Sequence, residues 1–418
     1  MGRLFILGAG SSVYAGFPLG KDLWDFLVDH CGPLGGAMET VSAYLSTLDA
    51  DRRLEATRDL ELTLTNLETG SIKPMPAGDL YRSNGRRWDL AEKQALRAKL
   101  RHTLQNEPRF NYNDYWDSQR IRRSSPVTAW RTRVQLHSLK DLIGDFVAAF
   151  LLHHACIRFG RRHFHGTGEP WPADNQRSFR HRCPCRQGLK IGKVHDVFAA
   201  IGRHFRPGDT VVTFNYDVTV EASLWGRSLW HFADGYGFPV AIETPRLKRY
   251  SRLRRPSPVT VLKPHGSVNW VKSNRDGAIG SSYLGLLFGL PAFSTYLSEL
   301  DPEEGWETRH TEDTLLAPTY MKDYSSDPTL SLIWDRIETA VATATEISVV
   351  GYSLPKGDKA ARDRLRGALR KNSARRAVTI VSPGERERSE WPAFLDAAGK
   401  RLDWRTGTFD AWIGEGGR

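Results

Sequence analysis

Arg3-Leu4-Phe5-Ile6-Leu7-Gly8-Ala9-Gly10-Ser11-Ser12 is the stretch on which the fold turns. A short apolar run stops at a glycine, a Gly/Ser-rich turn follows, and Lys21 to Val28 continues as an amphipathic segment. That order reads as a strand, a tight loop and a helix. Glycines let a backbone come close to an anion, and a helix N-terminus with serine hydroxyls beside it can face a pyrophosphate. The spacing is not the usual G-x-G-x-x-G, because Tyr14 stands four residues after Gly10 and the next glycine is Gly16. Alone, the turn fits an ordinary glycine loop as well as a phosphate cradle.

The same strand grammar returns far downstream in Thr210 to Phe214 (TVVTF), Val259 to Leu262 (VTVL), Ile347 to Val350 (ISVV) and Ala377 to Val381 (AVTIV). These β-branched runs lack polar alternation, as strands covered on both faces of a parallel sheet do. Between Gly8 and Thr210 the chain reads mainly as helix, most clearly over Asp59 to Leu67, Ala91 to Leu104 and Leu136 to Phe159. The expected organisation is therefore α/β: a Rossmann-like parallel sheet built from residues 1–30 and 195–418, with a mostly helical, basic insertion over 31–194. Tyr236 to Pro258, rich in proline and arginine, reads as an excursion between strands.

Bulk properties narrow the class. The chain has 418 residues, 40% of them hydrophobic, with 13 Trp, 13 Tyr and 18 Phe, which is too apolar for a disordered protein. No run approaches the roughly 20 apolar residues that span a bilayer, and the N-terminus passes straight into the glycine motif without a cleavable leader. Four cysteines, Cys31, Cys156, Cys183 and Cys185, are too few for a disulfide framework. A cytoplasmic protein without membrane contact is expected. The net charge is +11, and residues 97–190 alone hold 18 Lys/Arg against 7 Asp/Glu. Such a block suits nucleic acid, an acidic partner or plain solvation.

Five segments, in order, resemble motifs of the sirtuin-like (silent information regulator) superfamily. Gly8 to Pro18 (GAGSSVYAGFP) is similar to its NAD-binding loop, which makes Gly8, Ala9, Gly10, Ser11, Ser12, Gly16 and Pro18 candidate NAD contacts. Thr213 to Asp217 (TFNYD) resembles the segment whose Asn and Asp line the nicotinamide-ribose pocket. Lys263 to Trp270 (KPHGSVNW) resembles the strand end that presents the catalytic histidine. Leu316 to Tyr324 (LAPTYMKDY) is similar to a loop of bacterial sirtuin-like NADases, and Val350 to Asp358 (VGYSLPKGD) to the loop that holds the adenosine ribose and phosphates. The resemblance implies Asn215 and His265 as catalytic residues, with Thr213, Asp217, Gly351, Tyr352, Ser353 and Asp358 around the dinucleotide.

The chemistry suits those residue types. Nicotinamide leaves NAD⁺ as a neutral base, so the reaction needs stabilisation of an oxocarbenium-like ribose and a positioned nucleophile, not an acid for the leaving group. Asn215 can orient a water or the ribose hydroxyls, Asp217 can accept from the carboxamide, and the imidazole of His265 can accept a proton. Each has a plainer reading: an Asx turn for Asn-Tyr-Asp, a satisfied structural histidine among 13, and a helix cap for Asp358.

Departures from the superfamily pattern favour one branch. The chain has no C-x-x-C pair, whereas protein deacylases carry a four-thiolate zinc module. Leu19-Gly20-Lys21 stands where deacylases place Asp-Phe-Arg, and Tyr216 where they usually have Ile. The implied activity is hydrolysis of NAD⁺ to nicotinamide and ADP-ribose by a regulated effector of bacterial antiphage defence. Such an enzyme would work as a homo-oligomer, held in check by a partner such as a defence-system ATPase. An NAD-dependent deacylase and a non-catalytic sensor of NAD or ADP-ribose are the alternatives. No metal is expected, since His163, His165, His181, Cys183 and Cys185 do not have common zinc spacing.

Overall fold

The computed structural model describes residues 2–31, 50–58, 60, 150, 153, 191–238, 240, 256–273, 279–281, 311–315, 324, 327–355, 357–374, 376–386 and 389–414. The chain divides into two compact units. One comprises Met1–Leu19, Lys190–Ser282 and Thr314–Arg418; the other comprises Gly20–Leu189 and Tyr283–Asp313.

The first unit is an α/β structure around a six-stranded, wholly parallel sheet. Its strands are β1 (Arg3–Leu7), β2 (Thr210–Thr213), β3 (Thr260–Leu262), β7 (Glu346–Val350), β8 (Val378–Ser382) and β9 (Leu402–Thr406), in the order β3-β2-β1-β7-β8-β9. The five apolar runs picked out in the sequence are the five strands from β3 to β8 of that order. Leu4, Phe5, Ile6 and Leu7 are all buried, as both-face coverage of the central strand requires. The chain leaves β1 toward β2 and β3 on one side and later adds β7, β8 and β9 on the other. The order therefore reverses between β1 and β7, and ligands of open α/β sheets lie at the carboxyl ends of the strands at such a reversal.

A second, three-stranded sheet has the order β5-β4-β6, with β4 at Gly266–Ser273, β5 at Ile279–Ser281 and β6 at Thr311–Leu315. Strand β4 begins one residue after His265, so the histidine sits in the turn where the chain passes from one sheet to the other. The carbonyl of Lys263 accepts from the Gly266 N–H at 3.1 Å and closes that turn, with Gly266 at φ 82°.

Helices cover the sheet in two groups. Ile191–His204, Thr219–Trp225 and Phe409–Gly414 pack with one another, while Pro328–Thr343, Lys359–Lys371 and Trp391–Ala397 form the other group. Phe5 on β1 meets Phe205 and His204 edge-on at 4.8 and 5.4 Å, and Trp412 at 6.1 Å. Pro328–Thr343 starts where Asp327 Oδ1 accepts from the N–H groups of Thr329 and Leu330, with proline in the first turn. The inward stripe of Lys359–Lys371 is Ala361, Leu365, Ala368 and Leu369, a helical period that leaves Arg362, Arg364 and Arg366 half-buried and Arg370 exposed. Arg3 and Asp209 tie the starts of β1 and β2 through a fork of two hydrogen bonds, 3.1 and 2.6 Å.

In the second unit, the amphipathic segment after the glycine loop is the helix Leu23–Cys31, and a further helix spans Ala50–Arg58. Phe26 packs edge-on against Phe150 and His153. The helical expectations over Asp59 to Leu67, Ala91 to Leu104 and Leu136 to Phe159, nearly all of the basic block 97–190, the His/Cys group at 163–185 and most of the Tyr236 to Pro258 excursion lie outside the described residues, apart from single positions and the ends of the excursion. Among the described residues, no helix is long and apolar enough to cross a membrane.

Candidate active site

Four loops meet at the carboxyl ends of β3, β2, β1 and β7, which are neighbours in the sheet. The glycine loop after β1 folds as two short 3-10 turns, Ala9–Ser11 and Val13–Ala15, the second closed by Gly16 in the left-handed region at φ 81°. Its glycines are required by the loop after β7. A Cβ on Gly8 would lie 2.6 Å from the Gly351 carbonyl oxygen, and one on Gly10 would lie 2.8 Å from the Gly351 Cα. Gly351, at φ 64°, would place its own Cβ 2.6 Å from the Gly10 carbonyl carbon and the Ser11 nitrogen. The three glycines interlock the two loops at backbone contact.

Backbone hydrogen bonds reinforce this packing. The N–H groups of Gly8 and Gly10 donate to the carbonyls of Val350 and Gly351, and those of Ser11 and Ser12 donate to Gly8 and Ala9. These four donors are committed within the protein, and the first two brace the loop against the one that follows β7. Ala9 and Pro18 are half-buried beside it, and Ser353, after Gly351, is exposed.

Asn215 follows β2 by two residues and is 8% exposed. Its Nδ2 lies 3.0 Å from the Gly8 carbonyl, 2.8 Å from Ser12 Oγ and 3.1 Å from Ser11 Oγ. Thr213 Oγ1 accepts from the Asn215 N–H at 3.2 Å and fixes the backbone of the turn. With the amide nitrogen turned onto the glycine loop, the side-chain carbonyl has no hydrogen bond among the described residues and is the end left to meet a ligand. Asp217 behaves as the plainer reading of Asn-Tyr-Asp expects. Its Oδ1 accepts from the Thr219 N–H at 3.0 Å and the Thr219 hydroxyl at 2.6 Å, starting the helix Thr219–Trp225.

His265 is 7% exposed, at the end of the strand next to β2. Phe214 joins it to its neighbours, edge-on to the imidazole at 5.1 Å and stacked on Tyr352 at 4.1 Å with the rings 4° from parallel. Asn215 and His265 thus open from adjacent strand ends, with the residue preceding Asn215 packed on His265. The Nε2 of His265 lies 2.9 Å from Asp358 Oδ2 and 3.0 Å from the Tyr324 hydroxyl, while Tyr324 donates to Asp358 Oδ1 at 2.7 Å. Burial and the adjacent Asp358 carboxylate push the Tyr324 hydroxyl far above the ordinary tyrosine range, so it stays protonated.

Asp358 stands at the N-cap of Lys359–Lys371, yet its side chain makes no capping hydrogen bond. Both oxygens turn instead to the histidine and the tyrosine. Tyr324 closes the LAPTYMKDY segment and was not among the residues singled out in the sequence. It touches residues 59 and 34 positions away, which no local pattern reports.

Lys263, two residues before His265, was likewise legible only as part of a motif. It is fully buried, donates to the Asp217 carbonyl, and pairs with Glu221 at 2.8 Å. Glu221 is equally buried; burial raises its carboxyl and the Lys263 charge acts against that rise, leaving it above the usual value. Tyr236 and Asn269 complete the cluster through the Glu221 carboxylate and each other. Together with the Val268 N–H bond to the Tyr216 carbonyl at 3.1 Å, this network clamps the Asn215 turn to the His265 turn.

Among the described residues, no group of three or more His, Cys, Asp or Glu side chains is placed to hold a metal ion. Comparison of the chain with protein-family models and with curated proteins returns no match.

Proposed function

We propose that this chain binds NAD⁺ across the carboxyl ends of β3, β2, β1 and β7 and hydrolyses its nicotinamide–ribose bond. The observation that carries the reading is the meeting of Asn215 and His265 at adjacent strand ends beside the point where strand order reverses. In the reaction the bond between the ribose anomeric carbon and the pyridinium nitrogen breaks, and nicotinamide departs with the electron pair as a neutral base. Water adds to the sugar cation, giving ADP-ribose and one proton. The Asn215 carbonyl orients that water or the ribose hydroxyls, and His265 takes the proton. Ser12 and Ser353 supply hydroxyls to the pyrophosphate and ribose, a role the committed N–H groups of the glycine loop leave to side chains.

The resemblance to sirtuin-like NADases adds the setting: an antiphage effector, oligomeric and kept silent by a partner, with the basic segment available for protein or nucleic-acid contact. The test is to incubate the purified chain with NAD⁺ and quantify free nicotinamide with and without an acylated lysine peptide. Release without peptide supports hydrolysis. Release that needs the peptide replaces this reading with deacylation, and binding of NAD⁺ without release replaces it with a sensor.

A further inference from the structure

We propose that Asp358 is a positioning residue that fixes the tautomer of His265, with the proton on Nε2 and the basic lone pair on Nδ1, while the Tyr324 hydroxyl holds the other carboxylate oxygen. This rests on the reading of His265 as the proton acceptor, and assigns which of its atoms does the work.

The argument is one of donors and acceptors. Tyr324 has a single hydroxyl proton, and it lies on the line to Asp358 Oδ1 at 2.7 Å. What the phenol presents to His265 is therefore oxygen, 3.0 Å from Nε2. Asp358 Oδ2, 2.9 Å from the same nitrogen, belongs to a carboxylate that only accepts. Two acceptors face one ring nitrogen, and the three contacts are satisfied together only when Nε2 carries hydrogen. The neutral imidazole then has its lone pair on Nδ1, which makes no hydrogen bond among the described residues.

Two further features point the same way. Asp358 occupies a helix N-cap position and forgoes the cap, so the backbone nearest to it is not what holds its carboxylate. The ring is also walled in: Phe214 meets it edge-on at 5.1 Å, Tyr324 lies parallel to it at 6.1 Å, and Tyr216 lies at 5.9 Å. Aromatic rings thus flank the imidazole as Asp358 and Tyr324 hold its Nε2. A carboxylate behind an imidazole in this way selects the tautomer and steadies the imidazolium formed when the proton is taken.

The full chain labelled with ¹⁵N-histidine provides the test, with the His265 signals identified by their loss in His265→Gln. At about pH 8, two-bond ¹H–¹⁵N spectra distinguish a protonated from a bare ring nitrogen. The expected result is a protonated Nε2 and a bare Nδ1 in the wild type and in Tyr324→Phe. In Asp358→Asn the new amide can donate to Nε2, so the proton should move to Nδ1. Nicotinamide release should then fall roughly 10⁴-fold, the scale seen when the equivalent carboxylate of a serine-protease triad is amidated, with NAD⁺ still bound. A wild-type His265 protonated on Nδ1, or an Asp358→Asn protein that keeps the Nε2 proton, overturns the proposal. A wild type with the expected tautomer and no nicotinamide release under any condition overturns the NAD⁺-hydrolysis reading and leaves the tautomer assignment standing.

Discussion

Lys263→Met is the substitution whose consequences can be worked furthest from the structure. The Lys263 and Glu221 side chains are 0% and 1% exposed and meet at 2.8 Å. Removing one partner of such a pair leaves a charge buried without compensation, which costs about 3–5 kcal/mol, a large part of the 5–15 kcal/mol typical of a whole domain. The sign of the pH dependence follows from Glu221. Its folded-state pKa already lies above its ordinary 4.5, and loss of the Lys263 charge raises it further. The folded protein then holds a proton that the unfolded chain releases. Stability should be greatest at and below pH 4.5, fall as pH rises from there to the folded-state value, and stay low above it.

Urea denaturation of Lys263→Met at about pH 8 and about pH 5.5 reads this directly, the lower value lying closer to the ordinary carboxyl pKa above which the stability is lost. The deficit should shrink at the lower pH. Adding Glu221→Leu should recover at least about 2 kcal/mol, because an apolar pair in place of a buried ion pair is close to neutral. A deficit independent of pH, or a double variant no more stable than Lys263→Met, would refute the reasoning.

Asn215→Ala removes the amide that braces the glycine loop and faces the reacting centre. Nicotinamide release per folded molecule should drop at least about 10²-fold, with a stability loss of about 1–3 kcal/mol; an unchanged rate removes Asn215 from the mechanism. His265→Ala should lower release by about 10²–10⁴-fold while circular dichroism and thermal midpoint stay near wild type. Gly351→Ala forces a Cβ to within 2.6 Å of Gly10 and Ser11 at a left-handed backbone position. The strain and overlap should cost about 2–5 kcal/mol and abolish NAD⁺ binding, both measurable in one thermal-shift titration. A fully stable, NAD⁺-binding Gly351→Ala protein would show that the two loops are not interlocked.

What could be read from sequence and what could not follows from the range of each interaction. The four inner strands and the edge strand β3 announced themselves because burial on both faces selects continuous β-branched runs, as in TVVTF, ISVV and VTVL. β9 (Leu402–Thr406) escaped because, unlike the other edge strand β3, none of its residues is buried. Its Asp403 and Arg405 are half-buried and bond to each other, so its sequence LDWRT has no apolar signature. Asn215 and His265 were legible from motif and strand-end context. The functions of Asp358 and Asp217 were not, since a short carboxylate before a helix looks the same whether it caps the helix or reaches across the fold. Asp217 closes a local Asx turn onto Thr219, and Asp358 reaches across the fold to His265. The glycines of Gly8-Ala9-Gly10 also make room for the backbone of Gly351, a use that the sequence alone does not announce. Only three-dimensional proximity separates those two uses of the same residue.

The central claim is that the loops after β1, β2, β3 and β7 form a single dinucleotide site. Calorimetric titration of NAD⁺ into the full chain carrying His265→Ala, where turnover does not blur the binding, tests it most directly. The account requires saturable binding with one NAD⁺ per chain, displaced by ADP-ribose and lost when Gly351→Ala is added. Absence of saturable binding, or binding that survives Gly351→Ala in a folded protein, would contradict it.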